Sequence, residues 1–180
     1  MGKLIKTYST YEISVEVAAV AAGAVVCQIA PPVAFPTLNR VIALTQLTVV
    51  SKTAVASSLG LAFAATKGTA VPANVNPGIL VSKGNWGVEG GTGPGELITG
   101  WTVQPAPSGS YLRSEVLPAV LGSRFQWTWP EDDPFGAGES VIGYMSLDGP
   151  GVLLQNTALI TASPILSISA RWLEFSVDQL

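Results

Sequence analysis

The 180-residue chain contains no histidine and a single cysteine, Cys27. Without imidazole there can be no Ser-His-Asp triad, no Cys-His dyad and no histidine-ligated zinc. Cys27 has no second cysteine, which excludes an intrachain disulfide and a multi-thiolate metal site. There is no Asn-x-Ser/Thr sequon. Charge is scarce as well: 12% of residues are Asp, Glu, Lys or Arg, against about 25% in an ordinary soluble domain. The nine basic residues are scattered from Lys3 to Arg171 and the net charge is −3, so a phosphate backbone finds no grouped cations, and nucleic-acid binding is not expected.

Long apolar runs are also missing. The nearest to one is VEVAAVAAGAVVCQIA, residues 15–30. Lys3 and Lys6 precede it, as the basic start of a signal peptide would. Glu12 and Glu16 stand where such a signal is acid-free, and Val26, not a small residue, precedes the cysteine. Gln28 and Pro31-Pro32 close the run before the roughly 18 residues a membrane helix needs. Just upstream, Tyr11, Ile13, Val15 and Val17 alternate with Glu12, Ser14 and Glu16, the period of a half-buried strand. Two strands meeting near Gly23 are therefore expected, with Cys27 a small buried hydrophobe. Neither a signal peptide nor a membrane segment is expected.

What the chain does have is strand signal. Leu38–Val50 and Ser58–Thr66 are rich in Val, Ile, Leu, Ala and Thr and read as a hairpin. Asn74–Gly78 (NVNPG) reads as a turn, followed by a short strand over Ile79–Ser82. Lys83–Gly95 is a glycine-dense loop, Glu96–Val103 a strand interrupted by Gly100, and Gln104–Gly109 a second loop. Ser114–Leu121 is open between a short helix and an extended segment, with Pro118 limiting any helix. Ser123–Trp129 alternates Phe125, Trp127 and Trp129 with polar residues. Ser140–Leu147, Val152–Thr157 and Pro164–Val177 are further strands, with a tight turn at Asp148–Gly151. Within the last strand the apolar set changes parity after Trp172, which predicts a bulge or a change of partner. Eight to ten strands, 19 glycines and 13 prolines with no helical period predict one all-β domain over residues 1–180: an antiparallel, jelly-roll-like β-sandwich with long Gly/Pro loops.

So little charge on so apolar a chain implies an outer surface covered by other subunits. The N-terminal segment 1–10 and the loop 83–110 are the candidate inter-subunit arms. Leu4 and Ile5 in the first, and Trp86 and Val88 in the second, are the candidate interface residues; tryptophan is enriched where interfaces carry most of their energy. The glycine loop is not a phosphate cradle, because Gly95-Glu96-Leu97 stands where a P-loop needs Gly-Lys-Ser/Thr. Glu131, Asp132 and Asp133, with Asp148, could in principle offer oxygens to Ca²⁺, but three consecutive side chains point apart, and a solvated loop is the expectation. Trp127 and Trp129 share one strand face and form the candidate sugar-stacking platform, with core packing the competing use.

Two stretches carry a resemblance. The C-terminal FGAGESVIGYMSLDGPGVLLQNTALITASPILSISARWLEF places a glycine turn, a Val-Leu-Leu strand, a small polar turn and a long closing strand in order. The middle RVIALTQLTVVSKTAVASSLGLAFAAT has the same character. Together they resemble the small jelly-roll structural proteins of tailed-phage virions. The resemblance implies a part of a particle made in the host cytoplasm: a capsid decoration or minor capsid protein, a neck or tail ring, or the carrier of a fibre. Its implied partners are copies of itself and other virion proteins, the major capsid protein among them. It implies no catalytic residue and no cofactor. The alternatives from the residues themselves are a carbohydrate-binding sandwich for host attachment and a hydrolase using the carboxylates above.

Overall fold

The computed structural model describes residues 9–18, 24–30, 40–53, 58–67, 71–77, 79–83, 96–107, 111, 113–128, 141–144, 152–157 and 164–176. In chain order these form β1 (Ser9–Ala18), β2 (Val25–Ala30), β3 (Arg40–Ser51), β4 (Leu59–Lys67), β5 (Val71–Pro77), β6 (Ile79–Lys83), β7 (Glu96–Val103), β8 (Ala106–Pro107), β9 (Arg113–Leu117), β10 (Arg124–Thr128), β11 (Val141–Tyr144), β12 (Val152–Asn156) and β13 (Ile165–Ser176). No helix occurs among the described residues.

The strands make two antiparallel sheets. The first runs β10-β3-β13-β1-β6, with β11 also paired to β3; the second runs β5-β7-β2-β12-β4-β8, with β9 also paired to β4. Eight positions form the frame: β1, β13, β3 and the β10/β11 edge in one sheet, and β2, β12, β4 and β9 in the other. Along the chain this frame steps from sheet to sheet, from β1 to β2, β3 to β4, β9 to β10 and β12 to β13. Each strand thus pairs with one far away in sequence, which is the jelly-roll arrangement. The inserted β5, β6 and β7 widen both sheets at one margin, β7 and β5 beside β2, and β6 beside β1. The expected all-β sandwich is the observed fold, with thirteen strands among the described residues once the insertion and short edge pieces are included.

Two local expectations are corrected. β3 and β4 are not a hairpin: β3 pairs with β13, β10 and β11, and β4 with β12, β9 and β8. Both are long, apolar and close in sequence, but sequence proximity does not reveal which sheet a strand joins. The NVNPG turn is largely strand: β5 extends through Pro77 against β7, and its register slips at three steps accommodate the proline and asparagines. At one of these, a Cβ on Gly100 would stand 3.0 Å from the Asn74 Cβ, so a side chain there would press on β5 where the two strands close up.

Alternation along each strand aims the core. Tyr11 and Val17 of β1, Leu47 and Val49 of β3, and Leu166, Ile168, Ala170 and Trp172 of β13 face Cys27, Ile29, Leu59, Leu61, Phe63, Leu97, Leu117 and Leu154 of the opposite sheet. Burying each large side chain of this set contributes about 1.5–3 kcal/mol. The predicted parity change has its bulge at the expected place. Between Arg171 and Trp172 the partner register jumps from Gln46 to Leu44, so the extra residue is Thr45 on β3. Thr45 Oγ1 donates to the Arg171 carbonyl at 3.1 Å. The bulge lets Leu44 and Leu47, of opposite parity, both reach the core.

The crossing from β9 to β10 is fixed on the end of β3. Gly122 N donates to Ser51 O and Ser51 N to Ser123 O, each at 2.8 Å. Gly122 adopts φ +81°, with open space where a Cβ would stand. The cost of a side chain there is conformational alone, so Gly122→Ala is expected to lower unfolding free energy by about 1 kcal/mol. A urea titration showing an unchanged midpoint would contradict this turn geometry.

Candidate functional site

The outer face of the first sheet is built from the polar parity of its strands. Glu12, Ser14 and Glu16 of β1, Ser169 and Arg171 of β13, and Gln46 and Thr48 of β3 stand there in register: Glu12 opposite Arg171, Ser14 opposite Ser169, and Arg171 opposite Gln46. Short serines between longer side chains leave a groove of about 450 Å³ lined by Glu12, Ile13, Ser14, Gln46, Ser169, Ala170 and Arg171. Within it Ser169 Oγ donates to Ser14 Oγ at 2.9 Å, and Gln46 Nε2 donates to Thr48 Oγ1 at 3.2 Å. Such a surface can exchange hydrogen bonds with a polar partner.

The second sheet is different. All six residues of β2 are buried, so both of its faces are covered. Val25 and Ala64 form a small second cluster against which Trp101 packs. Trp101 Nε1 donates to Gln28 Oε1 at 3.2 Å, and Gln28 is 2% exposed. Replacing Trp101 with phenylalanine keeps the packing and removes this donor, with an expected loss of about 1–3 kcal/mol. A stability equal to that of the natural chain would show that Gln28 does not need the indole.

At the far margin of the same sheet the surface turns apolar. Val116 on β9, and Val120 and Leu121 in the turn after it, are 61–63% exposed. Tyr111, just before β9, is also exposed and donates its hydroxyl to Gln155 Oε1 at 3.0 Å. Sequence reasoning missed this patch. Its signal was apolar residues in SEVLPAVLG that follow no strand or helix period.

The sequence-predicted residues fall out as follows. Trp127 lies in the core at 7% exposure, edge-to-face with Phe63 (5.8 Å, 64°) and tilted on Phe125 (4.7 Å, 41°). That ring is not available to a sugar as the Trp127/Trp129 platform requires, because the face it shares along β10 is the one turned to the opposite sheet. Trp129, Leu4, Ile5, Trp86, Val88, Glu131, Asp132, Asp133 and Asp148 lie outside the described residues. Parts of the expected arms are sheet: Ser9 and Thr10 open β1, and residues 96–103 form β7 between β5 and β2. The apolar Leu97 and Ile98 pair with β2 and are buried.

Burial pushes the Cys27 thiol up to about 12, against a smaller opposing effect of its hydrogen bond with the Leu154 backbone. Among the described residues no group of three His, Cys, Asp or Glu side chains could hold a metal ion, and no helix is long and apolar enough to cross a membrane. Compared with known protein families, curated protein sequences and solved structures, the chain matches none.

Proposed function

We propose that this chain is a non-enzymatic structural protein of a bacteriophage particle, assembling as an oligomer on or at the capsid, with copies of itself and the major capsid protein as its partners. The observation that carries the reading is the strand order. A jelly roll with both margins crossed by the chain is an architecture of viral capsid proteins, and it agrees with the resemblance of the two sequence stretches above. Low charge and the exposed apolar side chains of Val116, Val120 and Leu121, close together in sequence, support it. A ring in the neck or tail would use the same surfaces.

A second reading has its own observation. Jelly rolls also serve as lectins, and Ser14, Gln46 and Ser169 in the groove of the first sheet offer hydrogen bonds a saccharide takes. Sedimentation velocity of the purified chain, alongside a glycan panel, separates the two. The structural reading expects species heavier than the 18.6 kDa chain at micromolar concentration, and no saccharide binding. A monomer that binds a sugar, and loses it on Gln46→Ala, would select the lectin reading instead.

A further inference from the structure

The margin of the second sheet carries a self-complementary code. Among the described residues β9 pairs with β4 alone, and none of them pairs with its other edge. The Val116 N–H does not enter the β4 ladder: it donates to the carboxylate of its own neighbour, Glu115 Oε1, at 3.2 Å. In an antiparallel ladder the N–H and C=O of one residue point to the same side, and successive residues alternate. Val116 and Ser114 therefore both present their backbone groups to that other edge. Ser114, Glu115 and Val116 are exposed.

We propose that this edge is an interface between two copies of the chain, in which β9 of one protomer pairs antiparallel with β9 of its partner about a two-fold axis at Ser114. The inference rests on the assembly reading above and names its surface. In this register the two Ser114 residues form the central hydrogen-bonded pair. Arg113 of each protomer then lies directly opposite Glu115 of the other, in the non-hydrogen-bonded pairs where Cα atoms are closest, about 4.5 Å. The Val116 N–H moves into the intermolecular ladder, and the Glu115 carboxylate it releases is the group that meets the opposing arginine.

Neighbouring registers are excluded by the same residues. Shifting the axis to Arg113 sets the two arginines against each other, and shifting it to Glu115 sets the two glutamates against each other; like charges directly opposite are destabilising. Shifting it to Val116 calls on Pro118 to donate to Ser114, and proline has no N–H. Among pairings centred on residues 113 to 116, the Ser114-centred one satisfies both charge and backbone. The interface is isologous and closes as a dimer, and it extends the second sheet across two copies. The apolar Val116 lies on it, with Val120 and Leu121 just beyond.

The test uses the full-length chain with two kinds of variant. Ser114→Cys places two thiols across a hydrogen-bonded pair about 5.5 Å apart at Cα, inside the range of about 4.4–6.8 Å that a disulfide spans. Mild oxidation is expected to give a covalent dimer that reducing agent reverses, with buried Cys27 as the internal control that does not cross-link. Arg113→Glu and Glu115→Arg, each alone, are expected to weaken association at least about tenfold by light scattering, while the double exchange of both charges restores it to within about threefold. Unaltered association in the single variants, or a double variant no better than the singles, overturns the proposal. So does a Ser114→Cys chain that oligomerises without cross-linking; association by another surface would then leave the assembly reading standing. A natural chain that stays monomeric at high concentration removes both.

Discussion

Trp172→Ala is expected to come close to unfolding the protein. Trp172 sits on β13, the central strand of the first sheet, flanked by β1 and β3. Its exposure is 0%, and its ring stacks on Tyr11 with centroids 6.3 Å apart and planes at 22°. The two are cross-strand partners, as the β1–β13 register places them opposite each other. Truncating a buried aromatic to alanine removes its transfer free energy and leaves a cavity, about 3–5 kcal/mol together. That is a large part of a domain's total of about 5–15 kcal/mol. The site has little freedom to collapse, because the Thr45 bulge immediately beside it fixes the register of β3. Chemical denaturation should show a midpoint displaced by that amount, with Trp172→Phe recovering most of the loss. Glu16→Ala, on the exposed face of β1, should move it by no more than about 0.5 kcal/mol. Equal midpoints for Trp172→Ala and Glu16→Ala would contradict the assignment of this strand's two faces.

The second large effect concerns the lone thiol. Cys27 is 1% exposed and its thiol lies at about 12 where an ordinary one lies at 9.0. The thiolate is the reactive form. At pH 8 its population in the folded chain is therefore lower than in the unfolded chain by about a thousandfold, before any steric protection. A disulfide reagent should label Cys27 at the rate of unfolding, and completely in denaturant. The same displacement makes stability depend on pH. The folded state holds the proton more tightly, so the contribution is fully present below pH 9.0 and is lost as the pH rises toward about 12, by about 4 kcal/mol in all. Cys27→Ala should flatten that alkaline limb relative to the natural chain. Rapid labelling under native conditions would show that β2 is not covered on both faces.

Most of the strands were legible in the sequence. Tyr11–Val17, Arg124–Thr128 and Leu166–Trp172 each turn one face inward, and a two-residue period leaves a mark wherever one side meets water. The bulge was legible for the same reason, as a change in parity, though its extra residue lies on the partner strand. Sheet membership was not. β3 and β4 read as a hairpin because both are apolar and adjacent, while their true partners lie far along the chain, and no local residue records such pairing. β5 was hidden by Pro72, Asn74, Asn76 and Pro77, residues that favour turns but here occupy an irregular edge strand. Trp127 shows the limit for sites. Two aromatics two residues apart mark one face of a strand, and only the packing on Phe63 decides that this face is inside. The Val116, Val120 and Leu121 patch left no periodic trace, since it straddles a strand end and a turn.

The central claim is that this jelly roll exists to be packed into a particle. Quantitative mass spectrometry of density-purified phage particles from the source tests it most directly. The account predicts that the chain is present in a fixed ratio to the major capsid protein, at a copy number that follows the particle's symmetry, and that the ratio survives repeated banding. Particles without the chain, or traces that wash away with soluble host protein, would contradict it.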